Sequence, residues 1–187
     1  MADMKHLTTI ELEAGLNEIR QSPLDDGVLK LIVRRPQVGA REVVEEAQLD
    51  LSEGLVGDNW RIRGASNTFD GSAHPEMQLN IMNVRVIALV AGTDERWQLA
   101  GDQLFIDIDL SADNLPPTTR LALGSAIVEV TAQPHTGCVK FKARFGSDAM
   151  KFVNSAVGKE LRLRGINAKV VQGGVIRVGD RAKKLRP

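Results

Sequence analysis

The sequence predicts a mainly β fold, an antiparallel β-barrel with helical insertions, and three observations carry that expectation. Short runs place apolar residues at alternate positions: Leu29, Leu31 and Val33; Ala47, Leu49 and Leu51; Leu104, Ile106, Ile108 and Leu110. Gly, Pro, Asn and Asp punctuate these runs at short intervals. Strands and helices do not alternate regularly, which argues against a parallel doubly wound sheet.

The chain opens on a helix. Thr8 and Glu11 have capping-box spacing, and Leu12, Leu16 and Ile19 share one helical face until Ser22-Pro23 stops it. Asp25-Asp26-Gly27 reads as a turn, and strands follow at 29–33 and 47–51. Residues 52–78, rich in Gly, Ser, Asn, Asp and His, form a connection long enough to imply a function. Asn83 is placed to cap a helix through Val84, Ile87 and Ala91, stopped by Gly92. After the strand at 104–110, residues 119–132 hold one or two more, bounded by Pro116-Pro117 and Pro134. Ser147 is expected to cap a helix with Met150, Val153 and Val157 inward and Gly158 past its end. Strands around Ile166–Val171 and Val175–Arg177 precede a turn at Gly179-Asp180 and a basic tail. The expected organisation is an N-terminal helical extension, 1–26, and a barrel domain, 27–187.

A chain of 187 residues, 43% hydrophobic and 26% charged, buries a core without needing a metal or disulfide to fold. That balance excludes disordered and collagen-like classes. No apolar run is long enough to span a membrane, and the first 22 residues show no secretory h-region, so a cytoplasmic address is expected. A single cysteine excludes an internal disulfide and any multi-cysteine zinc or iron–sulfur site within the chain. Charge is uneven. Residues 1–137 hold 11 Lys/Arg against 21 Asp/Glu, and residues 138–187 hold 13 against 3, a pattern that marks an anion-binding surface unless the segments interleave in space. Two Trp, five Phe and no Tyr offer no stacking platform for nucleic acid, and no basic amphipathic helix or lipidation signal points to a membrane.

Walker A, HExxH, GxSxG, CxxC and GxGxxG signatures are all missing. The one chemical constellation is Gln133-Pro134-His135-Thr136-Gly137-Cys138-Val139-Lys140-Phe141-Lys142-Ala143-Arg144. His135, Lys140, Lys142 and Arg144 surround the lone thiol in sequence, and cations favour the thiolate that attacks electrophiles or ligates soft metals. The alternative is a small buried apolar side chain. A Cys138–His135 pair for acyl transfer would need a third, orienting group that the sequence does not offer. Glu53-Gly54-Leu55-Val56-Gly57-Asp58-Asn59-Trp60-Arg61 permits tight turns bearing the polar groups of Asp58 and Arg61. Asn80 and Asn83 offer amides, with helix capping the alternative for Asn83. Arg162 and Arg164, alternating with leucines, would share one strand face suited to an anion, or a solvated one.

The ordered series GLVGD at 54–58, Met82-Asn83-Val84-Arg85, Ala100-Gly101-Asp102, Asn114-Leu115, Leu123-Gly124, Pro134-His135-Thr136-Gly137-Cys138, Arg144-Phe145-Gly146, Arg164-Gly165-Ile166-Asn167 and Gly179-Asp180 resembles the MOSC domain family. The likeness runs from about Val33 to Leu185. It implies a barrel of MOSC type and binding of the molybdenum cofactor, a metal held by a pterin dithiolene with a phosphate tail. Family resemblance makes Cys138 a molybdenum ligand or sulfur carrier; His135, three residues before it, reads as a proton shuttle or as the residue that orients the loop. The resemblance assigns Lys140, Arg144, Arg162 and Arg164 to the phosphate or pterin, and Asp58, Arg61, Asn80, Asn83, Asn114 and Asn167 to polar contacts with it. Some members reduce N-hydroxylated small molecules, so a small-molecule substrate and an external electron donor are expected, or else a protein that accepts the cofactor or a persulfide. Pyridoxal phosphate binding is associated with the family through its full sulfurases, whose extra domain is not expected here. Where many members carry a basic or imidazole residue after GLVGD, this chain has Asn59.

Overall fold

Seven strands close into a ring in the computed structural model, which describes residues 6–65 and 68–185. The strands are β1 (Gly27–Arg34), β2 (Glu42–Val44), β3 (Glu46–Asp50), β4 (Gly54–Leu55), β5 (Leu79–Asn83), β6 (Leu104–Asp107), β7 (Arg120–Leu123), β8 (Ala126–Val130), β9 (Ile166–Gln172), β10 (Gly174–Arg177) and β11 (Arg181–Leu185). The sheet runs β11-β7-β8-β9-β5-β6-β1-β2, and β11 also pairs with β1, which closes the barrel and leaves β2 flanking it. β10, β3 and β4 form a separate three-stranded sheet. Every pairing in the barrel is antiparallel except β5–β6, which is parallel because helix α4 (Val84–Ala91) lies on the connection between them.

Two apolar layers result. Leu29, Ile32, Leu79, Ile81, Leu104, Ile106, Leu121 and Val128 fill the barrel. On the outside of the same wall, Val33, Met82 and Phe105 meet α4, α5 (Val139–Phe145), α6 (Ser147–Asn154) and the N-terminal helices α1 (Thr9–Ala14) and α2 (Leu16–Arg20). Strands β5 and β6 are therefore buried on both faces, so Phe105 is as covered as its neighbours Leu104 and Ile106. Leu12 and Ile19 belong to the outer layer, alongside Phe141, Phe145 and Phe152, which packs the N-terminal helices onto the barrel. A remaining helix, α7 (Ala156–Glu160), leads into β9. No helix among the described residues is long and apolar enough to cross a membrane.

Several local expectations change in space. The even alternation of β1 fails at a bulge between Leu29 and Leu31, so Ile32 joins Leu29 inside while Leu31 and Val33 face the helices. Residue 147 begins α6 rather than capping it, and Ser155 ends the expected helix by capping α7, its Oγ accepting from Gly158 N. The basic tail at 181–185 is β11, with Ala182 turned into the barrel. Residues 139–145, to which the sequence pattern assigns no element, form α5, held by the buried rings of Phe141 and Phe145 at a centroid distance of 4.9 Å.

Candidate functional site

A cleft of about 270 Å³ opens at the barrel end where β1 finishes and where β6 and β9 begin. Its walls come chiefly from residues 35–41 after β1, residues 59–65 around helix α3 (Trp60–Arg63), residues 100–101 before β6 and residues 135–144 at the start of α5, with His74, Met77, Asn80 and Arg164 completing them. Six cationic side chains line it: Arg35, Arg41, Arg63, Lys140, Arg144 and Arg164.

Two of those cations are spent on structure. Arg35 makes a two-pronged pair with Asp58, Nε to Oδ2 and Nη2 to Oδ1, each at 2.8 Å, and its Nη1 donates to Asn80 Oδ1 and Gly101 O. Asp58 is fully covered, and its oxygens also accept from the backbone N–H of Arg35 and Trp60, so the Gly-Asp turn anchors an arginine rather than facing the cleft. Arg164 donates to Asp102 Oδ2 at 2.6 Å and to Ala100 O at 3.0 Å, and lies 5.0 Å over the Phe141 ring.

The other four form no ion pair among the described residues. Burial, then the nearby charges of Arg144 and Arg35, push the Arg41 guanidinium below its ordinary pKa; burial and Arg35 do the same to Arg63. Gly101 shows why the crowding is tolerated. A Cβ built there would stand 3.4 Å from Arg41 Nη2 and 3.7 Å from Arg144 Nη1, so the two guanidinium groups converge over a residue with no side chain. Its φ of +90° independently favours glycine. Three buried polar atoms in the cleft wall lack a partner: Arg41 Nε, Asn59 Oδ1 and Arg164 Nε. Native interiors rarely leave such atoms unmatched, so their grouping points to a ligand that brings both acceptors and a donor.

Cys138 stands exposed at the N-terminal end of α5 and lines the cleft. Its loop is tied down twice. Asn154 accepts from Gly137 N at 2.9 Å and donates back to Gly137 O at 3.2 Å. Asn167 donates to the carbonyls of Gln133 and Pro134, while its Oδ1 accepts from Asn80 at 2.6 Å. His135 Nε2 lies 2.8 Å from Asp102 Oδ1. Burial alone would raise the Asp102 carboxyl, but Arg164 and His135 outweigh it and hold the pKa at about 2. The orienting group missing from the sequence is thus Asp102. No hydrogen bond links His135 to the Cys138 sulfur among the described residues, so a cysteine–histidine–aspartate triad is not assembled.

Of the residues singled out in sequence, the cleft collects Cys138, His135, Asn80, Lys140, Arg144 and Arg164. Asn167 braces the cleft from behind, with no exposed surface. Asn83 is a helix cap: its Oδ1 accepts from Arg85 N, and its Nδ2 donates to Ser22 Oγ and Ile108 O. Asn114 lies elsewhere, donating to Leu24 O and Asp109 O and accepting from Lys184. Arg61 points to solvent beside its neighbour Arg63, which does line the cleft. Arg162 and Arg164 share no strand face, because residues 161–164 form a turn in which Arg162 has φ of +47°. Arg162 donates instead to Leu115 O and borders a second cavity. Arg35, Arg41, Arg63 and Asp102 were not singled out as site residues. The Arg34-Arg35 doublet at a strand end was one available signal; Arg41 and Arg63 offered none locally.

The family model for the MOSC domain matches residues 73–183, more than half of the chain. The chain belongs to the MOSC domain family. Solved structures agree on the MOSC fold. The YuaD protein from Bacillus subtilis superposes with a TM-score of 0.61 at 14% identity, over 83% of this chain and 94% of that one. YiiM from Escherichia coli gives 0.54 at 19% identity, over 86% and 70%, and YiiM from Geobacillus stearothermophilus gives 0.52 at 15%, over 88% and 75%. No curated protein sequence matches this MOSC chain.

Proposed function

We propose that the cleft binds the molybdenum cofactor, with Cys138 as a thiolate ligand to the metal, and that the protein reduces N-hydroxylated small molecules. One observation carries the reading: four cations free of ion pairs, three unmatched buried polar atoms and the only thiol of the chain share one cleft. Arg41 and Arg144, converging over Gly101, suit a phosphate, and a thiolate suits a soft metal. Asn59 Oδ1 is an acceptor, matched to the N–H groups of a pterin. The single thiol that Cys138 presents in the cleft suits a metal that brings most of its own ligands. When bound, the cofactor supplies a two-electron redox change. The chain's residues supply charge, orientation and shelter: Arg35–Asp58 fixes the floor, and Asn154 with Asn167 holds the Cys138 loop. Electrons come from an external donor protein, and a reduced thiol fits work in the cytoplasm.

The test is molybdenum and pterin content per chain for wild type and Cys138→Ala, purified from a host that makes the cofactor. Near-stoichiometric metal in wild type, lost in the variant, is expected. Wild type lacking both metal and pterin overturns the reading. A second reading, that the protein carries a persulfide or the cofactor to a partner, is favoured by the exposure of Cys138. It predicts transferable sulfur on Cys138, or release of cofactor to an acceptor protein, without turnover.

A further inference from the structure

His135 borders two cavities. One is the cationic cleft, and the other, of about 320 Å³, lies behind the cysteine loop between Thr131, Asn154, Lys159 and Arg162. That volume has room for several waters, and Thr131, Gln133, Asn154, Lys159 and Arg162 in its lining carry polar groups. The loop carrying His135 is therefore a thin partition between the candidate site and a second polar space.

The ring's three neighbours fix which nitrogen does what. Nε2 is engaged by Asp102 Oδ1. Asp102 is ionised, and an ionised carboxylate only accepts, so Nε2 carries the proton and Nδ1 does not. The Cδ2 edge faces Gly165, where a Cβ would stand 3.2 Å away. What remains for the cavities is the Nδ1–Cε1 edge, and no described residue hydrogen-bonds Nδ1. The groups around the ring are Asp102, Arg164 and Arg35; burial first, then the arginine charges, keep it below the ordinary histidine pKa against the pull of Asp102. The imidazole is thus neutral near pH 7, with a bare lone pair.

The cleft's other unmatched acceptor, Asn59 Oδ1, is an amide oxygen that does not take up a proton, so Nδ1 is the basic one. The arginines and lysine of the cleft only donate. The other imidazole, His74, already uses Nδ1 to accept from Glu76 N. Reduction of an N-hydroxy group to an amine takes two electrons and two protons and releases water, so a cleft doing that chemistry must import protons.

We propose that His135 relays protons from the rear cavity to the ligand beside Cys138, and that Asp102 is the positioning residue that holds it in the Nε2–H tautomer. The proposal rests on the reductase reading. In the relay, Nδ1 takes up a proton that bulk solvent supplies through the rear cavity, Asp102 balances the imidazolium, and that proton passes to the oxygen leaving nitrogen as the N–O bond breaks, which returns the ring to its neutral form and releases water. The two electrons come from the reduced cofactor, and the second proton comes from solvent.

The first test is ¹⁵N NMR of the histidine rings at neutral pH, on cofactor-free protein. His135 is expected protonated at Nε2, with the preference lost in Asp102→Asn. The second uses hydroxylamine as probe substrate and dithionite-reduced methyl viologen as donor. His135→Gln keeps an amide donor for Asp102 but has no titratable Nδ1, so it should retain molybdenum and pterin while kcat falls about 100-fold or more. Added imidazole should restore turnover to His135→Ala, which a purely structural role would not allow. Protonation at Nδ1 in wild type, or His135→Gln turning over at the wild-type rate, overturns the relay. Wild type without molybdenum and pterin fails the parent reading instead, and the tautomer, read without cofactor, separates the two failures.

Discussion

Asn80 on β5 donates its side-chain amide to Asn167 on β9 at 2.6 Å, and this contact joins the cleft floor to the cysteine loop. On one side Asn80 accepts from Arg35, which is locked to Asp58; on the other Asn167 reaches the carbonyls of Gln133 and Pro134. Replacing Asn167 with Ala leaves the Asn80 amide and two loop carbonyls without their partner. We expect a loss of about 1–3 kcal/mol in urea unfolding, together with faster alkylation of Cys138 as its loop loosens. An unchanged alkylation rate would mean that Asn154 alone holds the loop.

Stability should depend on pH through the His135–Asp102 pair. Burial and nearby arginines keep the His135 pKa in the folded state below its ordinary 6.5, so the unfolded chain takes a proton first. The unfolded state then binds more protons, and stability falls as pH drops below that value. Asp102, held at about 2 against an ordinary 3.8, adds stability that is present above pH 4 and is lost as pH falls towards 2. Thermal melts from pH 7 down to pH 5 should show Tm falling, with part of the slope removed in His135→Gln.

The convergent cations carry a stability cost in the free protein. Arg41→Met removes a half-buried charge that is pushed by Arg144 and Arg35 and paired with no carboxylate. The variant should melt at or above the wild-type Tm when free of ligand, yet gain less than wild type from added pyrophosphate. A drop in the ligand-free Tm would show that Arg41 stabilises its loop through Ala40 O more than it strains it.

Gly165 should tolerate no side chain. Its φ is +110°, and a Cβ would stand 2.3 Å from Ile81 O. Gly165→Ala is expected to destabilise by about 1–3 kcal/mol in urea unfolding, from backbone strain. It should also shift the His135 ring resonances, because the added methyl reaches its Cδ2 edge.

Local signals were legible in the sequence where one element sufficed to produce them. Thr8 and Glu11 do form a capping box, and Asn83 does cap α4, because both devices span four residues or fewer. The inward turn of Ile32 has a tertiary cause: a bulge has no composition of its own, and residues 31–33 of β1 are divided between the barrel interior and the helical layer. The strand at 181–185 was hidden because four of its residues are Arg, Lys or Leu with one inward Ala, a pattern that only its partners β1 and β7 explain. At the cleft, Cys138, Lys140 and Arg144 were readable because a single helix supplies them. Arg35, Arg41 and Arg63 come from the acidic part of the chain, so the charge imbalance did not point to them. Many cations of the basic part are spent on Asp and Glu from the rest: Lys169 on Glu76, Arg177 on Glu46 and Arg181 on Asp26.

Pairing of Gly27 and Val28 with Ala182 and Arg181 has a consequence during synthesis. A nascent chain still holding residues 181–185 in the ribosome exposes the whole outer edge of β7 and the start of β1. Unpaired edges recruit other strands, and a loop spanning most of the chain closes slowly. Ring closure therefore waits until residues 181–185 are free to pair with both β7 and β1. Until then the lifetime of two open edges, rather than the stability of the finished barrel, governs how much chain is lost to aggregation.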